Sequence, residues 1–246
     1  MKLLSTSPKI EKSNNVGSEY YSTAQYLAPH KLSGYNTCTD ASPECIKLCL
    51  NFSGHAQIFP KIHECRIERT KFFFENRTEY FAQLRTELDA FVRKCDKLEL
   101  KPCVRLNATS DILWEKQDKT LFSDYPMIQY NEYTKHYKRY LSFLDGKLPP
   151  NLYLTFSRSE INELQCRNVL LAGGNVAQVY RYKNFPDTVM GYPVCEGDSH
   201  DMRFLDPKNH IIALSAKGSR AKRSETNGFV IQNQPVKKSS KKLVLV

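Results

Sequence analysis

Residues 152–180, LYLTFSRSEINELQCRNVLLAGGNVAQVY, contain one complete strand–helix–strand unit. The first five residues predict a buried strand, and the amphipathic stretch 159–171 predicts a helix with Ser159 as its N-cap. The glycine pair at 173–174 precedes the next apolar run at 176–180, which is typical of a helix C-cap and turn. A dinucleotide-binding loop would instead place its glycines after a strand. This unit predicts two parallel strands, since a parallel connection needs a crossover of about a dozen residues or more.

The same rhythm extends from this unit in both directions, with strands starting about 24 residues apart over much of the chain. Further strands are predicted at 20–27, 103–106, 127–130, 193–195 and 210–214, and further helices at 113–122 and 133–144. An apolar stripe over 72–92 predicts a long helical region, which a capping box at Asn76 and Glu79 divides into two helices. Repeated strand–helix units predict an α/β fold with a parallel sheet. We expect a full or partial β/α barrel of the TIM type, with a doubly wound open sheet as the alternative.

The chain has the composition of a soluble globular protein, with 41% hydrophobic and 25% charged residues over 246 positions. This balance excludes disordered, collagen-like, low-complexity and coiled-coil classes. No window approaches the roughly eighteen uninterrupted apolar residues of a membrane span, and the first residues lack the apolar run of a secretory signal. We therefore expect a cytoplasmic protein with no membrane partner.

The positive charge of the chain is concentrated near its C-terminus. The formal net charge is +10, and residues 217–246 hold eight bases and a single acid. We expect a flexible arm at 1–18, a single barrel-like domain at 19–216 and a partly disordered basic tail at 217–246. The tail is a candidate for contact with nucleic acid through phosphate neutralisation, and a solvated terminus is the alternative.

Three of the eight cysteines, Cys38, Cys45 and Cys49, fall within twelve residues of one another. Without a secretory signal the thiols are expected to be reduced, and their density indicates a metal site. Zinc would require a fourth ligand, whereas an iron–sulfur cluster held by three thiolates would keep one iron open for substrate or cofactor. The candidates for a fourth ligand are His55, His63 and Cys65. Structural free thiols are the alternative to a metal site.

Polar side chains follow three of the predicted strands, at the ends where ligands bind in parallel α/β folds. We expect Asp111 and Glu160 to be the catalytic acid or base groups, and Lys135 and Arg158 to contact an anionic substrate. The full set of expected catalytic and substrate-binding residues is Arg105, Asn107, Asp111, Lys135, Ser157, Arg158 and Glu160. Capping of turns and helices is the alternative for individual members.

An acidic segment at 196–206 places several carboxylates and one histidine in a single loop. Such a loop could bind a cation or serve in acid and base chemistry. A solvated turn is an equally simple interpretation.

Several blocks of the sequence resemble the "gene product 88" family of phage and prophage proteins. The main ones are LSGYNTCTDASPECIKLC at 32–49, RLNATSDILWE at 105–115, LTFSRSE at 154–160 and the segment 198–206. The resemblance covers roughly residues 20–230 and implies a phage or mobile-element context. In that case the expected location is the host cytoplasm.

A weaker similarity is to radical S-adenosylmethionine enzymes, which have a partial barrel and a three-cysteine loop after the first strand. It implies an iron–sulfur cluster and, as a possible cofactor, S-adenosylmethionine. The spacing here is Cys-x6-Cys-x3-Cys, whereas those enzymes usually have Cys-x3-Cys-x2-Cys. Residues 107–111 also replace their glycine-rich motif after the second strand.

Together these features predict a phage-type metal- or iron–sulfur-dependent enzyme that acts on a nucleotide, nucleoside or nucleic acid. The alternative is a nucleic-acid-binding accessory or host-interaction protein with structural cysteines and no catalysis.

Overall fold

The computed structural model describes residues 1–224 and 228–233, which form one ten-stranded β-sheet surrounded by helices. The strands are β1 (Leu4–Ser5), β2 (Tyr20–Gln25), β3 (Lys101–Arg105), β4 (Gln129–Thr134), β5 (Leu152–Ser157), β6 (Val176–Tyr180), β7 (Thr188–Val189), β8 (Tyr192–Glu196), β9 (Ile211–Ser215) and β10 (Val230–Ile231). Each strand that the sequence predicted is present, with shifts of a few residues at the ends. The predicted α/β class with a mostly parallel sheet is therefore confirmed.

The strands lie in the order β1-β2-β3-β4-β5-β6-β9-β8-β7, and β10 pairs with the far end of β6. Each pair is parallel except β1 with β2 and β7 with β8. From β2 to β6 the neighbours are also consecutive along the chain, so each crossover steps in the same direction. A doubly wound sheet would instead reverse its direction at a switch point.

The sheet is open. Within the described residues, β1 and β7 lie at its two edges and do not pair with each other. A closed barrel of the TIM type, one of the two forms expected, is therefore not formed. The sheet stays open because the strand at each edge is antiparallel to its neighbour and only two residues long. Such short edge strands stop further pairing.

Eleven helices are found in the described part of the chain: α1 (Pro8–Asn14), α2 (His30–Ser33), α3 (Pro43–Lys47), α4 (His55–Ile58), α5 (Pro60–Glu75), α6 (Arg77–Lys97), α7 (Trp114–Gln117), α8 (Leu121–Asp124), α9 (Tyr137–Leu144), α10 (Glu163–Leu171) and α11 (Gly218–Arg223). Asn76 separates α5 from α6 as predicted, although its side chain makes no capping hydrogen bond. None of the described helices is both long enough and apolar enough to cross a membrane.

Helix α10 begins later than the sequence predicted, with Asn162 and not Ser159 as its N-cap residue. The Asn162 side chain accepts a hydrogen bond from the Ser159 backbone N–H (2.6 Å) and donates one to the Ser157 carbonyl (3.1 Å). The helix does not begin at Ser159, because the next residue, Glu160, forms hydrogen bonds with the distant cysteine loop. This tertiary contact overrides the local capping preference of Ser159.

The main core lies between the sheet and the long helices and is rich in aromatic side chains. Trp114 is fully buried, and its ring centroid lies 4.9 Å from that of Phe73 in an edge-to-face arrangement. Tyr80 stacks on the same indole at 6.2 Å. Burying an aromatic side chain of this size contributes about 2–3 kcal/mol each, so this cluster fixes α5 and α6 against the segment that follows β3.

Both ends of the described chain contribute regular structure to the fold. Residues 1–18, expected to be a flexible arm, contribute β1 and α1, and the Leu3 and Leu4 backbone N–H groups donate to Glu87 of α6 (2.7 and 2.8 Å). The first part of the expected tail forms α11 and β10. The rest of that tail, residues 225–227 and 234–246, lies outside the described residues.

Candidate functional site at the carboxyl edge of the sheet

Cys38 lies in the loop that follows β2, at the carboxyl edge of the sheet. The Asn36 side-chain oxygen accepts a hydrogen bond from the Cys38 N–H (3.0 Å), which shapes the turn. The preceding Thr37 carbonyl accepts a bond from the Asp111 N–H (2.8 Å), which ties the loop to the segment after β3. This bond brings Cys38 beside Asp111, although more than seventy residues separate them in the sequence.

Cys45 and Cys49 follow on the short helix α3 and just beyond its end. Ser42 is the N-cap of α3, and its hydroxyl accepts a hydrogen bond from the Cys45 N–H (3.3 Å). Pro43 occupies the first turn, where its missing N–H costs nothing. The helix ends at Lys47, and Cys49 precedes a 3-10 turn. The sequence therefore places Cys45 within α3 and Cys49 shortly after its end.

The three thiols are half-buried, and Cys45 and Cys49 lie close enough to Cys38 to affect its pKa. Burial raises the pKa of Cys38 to about 12, and Asp111 and the other two thiols add to the rise. Burial also raises the pKa of Cys49, with a further contribution from Cys45, whereas nearby cations including Lys135 oppose it. Yet the described residues contain no group of three or more His, Cys, Asp or Glu side chains placed to hold a metal ion. The three thiols therefore lie near one another but do not form a metal-ligand group in the described residues.

Asp111 lies in the segment that follows β3, and one of its carboxylate oxygens accepts a hydrogen bond. Its Oδ2 accepts a hydrogen bond from the Lys135 backbone N–H (2.8 Å). Its Oδ1 is buried, lies 3.7 Å from Arg139 Nη1 and has no hydrogen-bond partner within the described residues. A buried carboxylate oxygen without a donor is costly, and it is the kind of group that a substrate or a proton can occupy.

Lys135 and Ser157 come from the ends of the adjacent strands β4 and β5. The Lys135 ammonium donates to the Ser157 hydroxyl (3.1 Å) and lies 5.7 Å from the centre of the Phe229 ring. The same ammonium is near enough to Cys49 to lower its pKa against the effect of burial. The structure therefore brings Lys135, Ser157, Asp111 and the thiols together, as the sequence predicted for the strand ends.

Glu160 uses both carboxylate oxygens to hold α3. Its Oε2 accepts from the Ser42 hydroxyl (2.7 Å) and its Oε1 from the Glu44 backbone N–H (3.1 Å). Burial alone would raise the pKa of Glu160, but these hydrogen bonds and the nearby Lys135 lower it below the ordinary value. Glu160 therefore positions the helix that carries Cys45 and has no oxygen left over for proton transfer in this arrangement.

Arg158 and Arg105 form hydrogen bonds with different partners in separate parts of the protein. Arg158 donates to the Gly228 carbonyl (2.5 Å) and so holds the C-terminal segment against the strand ends. Arg105 bonds to Asp201 (2.5 Å) and lies over the Tyr133 ring at 4.7 Å. The structure thus places Arg158 next to the site and Arg105 in a separate buried cluster.

Asn107 is buried, and its amide is fully engaged within the protein. It donates to the Ile112 carbonyl (2.8 Å) and to Glu132 (2.6 Å), and its oxygen accepts from Ser110 (2.7 Å) and from the Trp114 indole N–H (3.0 Å). These bonds shape the loop that presents Asp111. No group of Asn107 is available for a substrate in this arrangement.

Sequence reasoning missed His136, which joins the cysteine loop to the end of β4. Its Nδ1 lies 2.9 Å from an Asp40 carboxylate oxygen, and its Nε2 lies 3.3 Å from the Thr39 hydroxyl and 3.2 Å from the Asp111 carbonyl. The signal that could have found it is its position directly after Lys135, in the same polar strand end. Its contacts indicate that His136 fixes the loop around Cys38.

Sequence reasoning also missed a buried ion network on the helix side of β4. Arg139, with 1% of its side chain exposed, makes two bonds to Glu115 (2.9 and 2.8 Å) and one to Glu132 (3.0 Å). Burial raises the pKa of Glu132 to about 7, even though Arg139 acts to lower it. A lone arginine in a helix gives no sequence pattern that would reveal this network.

The three residues considered as a fourth metal ligand do not form a ligand group with the triplet in the described part of the chain. His63 Nδ1 lies 3.2 Å from the Asn51 side-chain amide, Cys65 is half-buried on α5, and His55 is exposed on α4. Over residues 1–224 and 228–233, none of them joins the three cysteines in a metal-ligand group.

The acidic loop at 196–206 is a set of buried ion pairs, so its interpretation as a solvated turn is wrong. Asp201 contacts Lys9 (2.9 Å) and Arg105 (2.5 Å), and although burial would raise its pKa, these cations hold it well below the ordinary value. Asp198 contacts Lys217 (2.7 Å) and accepts from the Ser215 N–H (3.0 Å). The loop therefore joins α1 and the start of the C-terminal segment to the sheet.

The fold and the site define a class of protein: an α/β protein with an open, mostly parallel sheet and three thiols, a carboxylate and an ammonium at the carboxyl ends of its strands. The chain belongs to the Gene product 88 family, whose profile matches residues 1–233. The predicted family resemblance is therefore confirmed. No curated protein and no solved structure matches the chain, and the similarity to radical S-adenosylmethionine enzymes is not shown by any comparison.

Proposed function

We propose that this protein is a metal- or iron–sulfur-dependent enzyme that acts on a nucleotide, nucleoside or nucleic acid. The observation that carries the proposal is the meeting of Cys38, Cys45 and Cys49 with Asp111 and Lys135 at one edge of the sheet. Ligand sites in parallel α/β folds lie at this edge. The one-directional order of β2 to β6 also favours a partial barrel as the architecture.

The donor chemistry of the three thiols fits zinc or an iron–sulfur cluster, since both prefer thiolate ligands. With a pKa of about 12, the Cys38 thiol is protonated at neutral pH, so metal binding must release protons. The described residues do not form a metal-ligand group, so metal binding must also bring the three thiols closer together. A cluster held by three thiolates would supply an open iron for substrate or for S-adenosylmethionine.

The protein's own residues have separate roles in this proposal. Asp111 offers a buried Oδ1 that can accept or return a proton, and the Lys135 ammonium can hold an anionic group of the substrate. Glu160 and His136 position the cysteine loop through its backbone and hydroxyl groups. We propose the host cytoplasm as the compartment, because thiols stay reduced there.

Anaerobic purification of the full chain tests the proposal, with iron, zinc and acid-labile sulfide measured per chain. Iron with sulfide and visible absorbance would support redox or radical chemistry, and stoichiometric zinc would support a hydrolytic or structural centre. We expect Cys45→Ala to lose the metal, whereas Cys65→Ala and Cys195→Ala, which change half-buried thiols elsewhere, keep it. A wild-type chain without metal would show the proposal to be wrong.

A second candidate, a nucleic-acid-binding accessory protein, is favoured by the basic C-terminal residues. Because α11 and β10 belong to the fold, the matched test removes residues 234–246 alone, with four lysines. This candidate predicts weaker binding to an oligonucleotide and a shallower salt dependence, by up to about three units of slope. Unchanged binding would contradict it.

A further inference from the structure

A basic pocket opens beside the cysteine loop, between the end of α3 and α11. It has a volume of about 450 Å³ and is lined by Lys47, Leu48, Arg220, Arg223 and Ser224. Pockets that bind small-molecule ligands fall in the range of roughly 300–1,000 Å³. The three cations come from two segments that are distant in sequence, so the fold has assembled them.

The charges of this pocket are poorly neutralised by the protein itself. Lys47, whose side chain is 65% exposed, contacts the buried carboxylate of Glu44 at 3.3 Å. Over the part of the chain that the structure describes, neither Arg220 nor Arg223 forms an ion pair, and Arg220 instead lies 5.4 Å from the centre of the Phe52 ring. Like charges held close together repel one another, so an anion in the pocket would be stabilised.

The position of α11 is fixed by a close approach to the turn that follows Cys49. Gly218 begins α11 with φ +79°, and a Cβ added there would lie 3.0 Å from the Cβ of Ser53. A larger residue at 218 would therefore push α11 away from this turn. The glycine keeps the two arginines next to the segment that carries the thiols.

We propose that this pocket binds the phosphate groups of the ligand that the cysteine site acts on. Arginine side chains suit this task because their planar forks bind phosphate oxygens in pairs, and Ser224 adds a hydroxyl donor. Lys47 and Leu48 lie between Cys45 and Cys49 in the chain, so a phosphate held here is next to the thiol loop. That the phosphate belongs to a substrate rests on the proposed function. The phosphate recognition itself does not.

Isothermal titration of the full chain in low-salt buffer tests the pocket, with pyrophosphate, adenosine triphosphate and a short oligothymidylate as probes. We expect the double variant Arg220→Gln/Arg223→Gln to bind at least about tenfold more weakly. The control Arg93→Gln/Lys97→Gln removes the same charge from exposed positions of α6 and should bind like the wild type. Loss with adenosine triphosphate identifies a nucleotide as the source of the phosphate, and loss with oligothymidylate alone identifies a nucleic-acid backbone.

Equal affinity of the double variant and the wild type, or no binding of any probe, would overturn the proposal. Thermal unfolding and metal content are measured on the same samples, and both should be unchanged in the double variant. Cys45→Ala should still bind phosphate. A chain that binds phosphate through these arginines but holds no metal would retain this inference and reject the proposed enzyme.

Discussion

Two polar regions lie on either side of Asp111 and differ in how completely their groups are paired. On the helix side of β4, Arg139 is held by three hydrogen bonds to Glu115 and Glu132, inside the core. At the carboxyl edge, burial raises the pKa of Cys38 and of Cys49, and the three cysteines do not form a metal-ligand group within the described chain. Both regions contain buried ionisable groups. In the first, each side chain has a charged partner inside the network, although Arg139 Nη1 and Glu132 Oε1 make no hydrogen bond within the described chain.

The difference distinguishes polar groups that stabilise the fold from polar groups that are available to bind a ligand. A buried charge network with its own partners rigidifies the fold, and removing one member leaves the others unpaired. The half-buried thiols offer sulfur ligands to a cation, and the buried Asp111 oxygen without a donor costs free energy that a bound substrate can recover. We therefore expect substitutions in the Arg139 network to change stability, and substitutions at the thiols to change ligand binding.

The largest effect on stability is expected from Arg139→Met, which leaves two buried carboxylates without their cation. The free energy of unfolding should fall by about 3–5 kcal/mol in a chemical denaturation experiment. Arg167→Met is the matched control, because Arg167 is 54% exposed and pairs with a Glu163 that is 49% exposed. The control should cost less than about 1 kcal/mol. Similar decreases in the free energy of unfolding in both variants would contradict the structural role of the buried Arg139 network.

The pH dependence of stability should be smaller in Glu132→Gln than in the wild type. Burial raises the pKa of Glu132 from 4.5 to about 7, so the folded state keeps a proton that the unfolded state has lost between these values. Stability from this group is fully present below pH 4.5 and declines as the pH rises towards 7. Denaturation at several pH values measures the difference between the two proteins. Other titrating groups, such as Asp206, are present in both and cancel.

Glu160→Gln should have a smaller effect on stability, of about 1–2 kcal/mol, because it weakens two hydrogen bonds to the start of α3. The same change should lower metal affinity by loosening the helix that carries Cys45. Glu163→Gln, three residues further on, is the control, and its exposed carboxylate should matter little to either quantity. An unchanged metal affinity in Glu160→Gln would remove its positioning role.

Much of the fold was predictable because short apolar strands and amphipathic helices leave periodic patterns. The strands at 152–156 and 176–180 were predicted almost to the residue. Closure of the sheet was not predictable, because it depends on two-residue edge strands such as Leu4–Ser5 that are too short to give a pattern. The start of α10 was misplaced for a similar reason, since Glu160 is held by residues far away in the sequence.

The candidate site was predictable in its location and less so in its individual roles. The topology brings strand ends together, so the proximity of Asp111, Lys135 and Ser157 followed from the parallel sheet. The engaged amide of Asn107 could not be foreseen, because its partners are defined only by the folded loop. The contacts of His136 with the cysteine loop are likewise tertiary, and its position directly after Lys135 is the one local signal for them.

Cobalt(II) titration of the metal-free protein is the most direct test of the central claim. That claim is that the three thiols at the carboxyl edge of the sheet are available to bind a metal. Cobalt(II) bound to thiolates absorbs strongly through charge transfer from sulfur, and thiolate ligands must lose their protons to bind. We predict one tightly bound cobalt per chain, with thiolate absorption that falls in Cys38→Ala, Cys45→Ala and Cys49→Ala and is unchanged in Cys65→Ala. Absence of thiolate absorption in the wild type, or its retention in all three variants, would contradict the account.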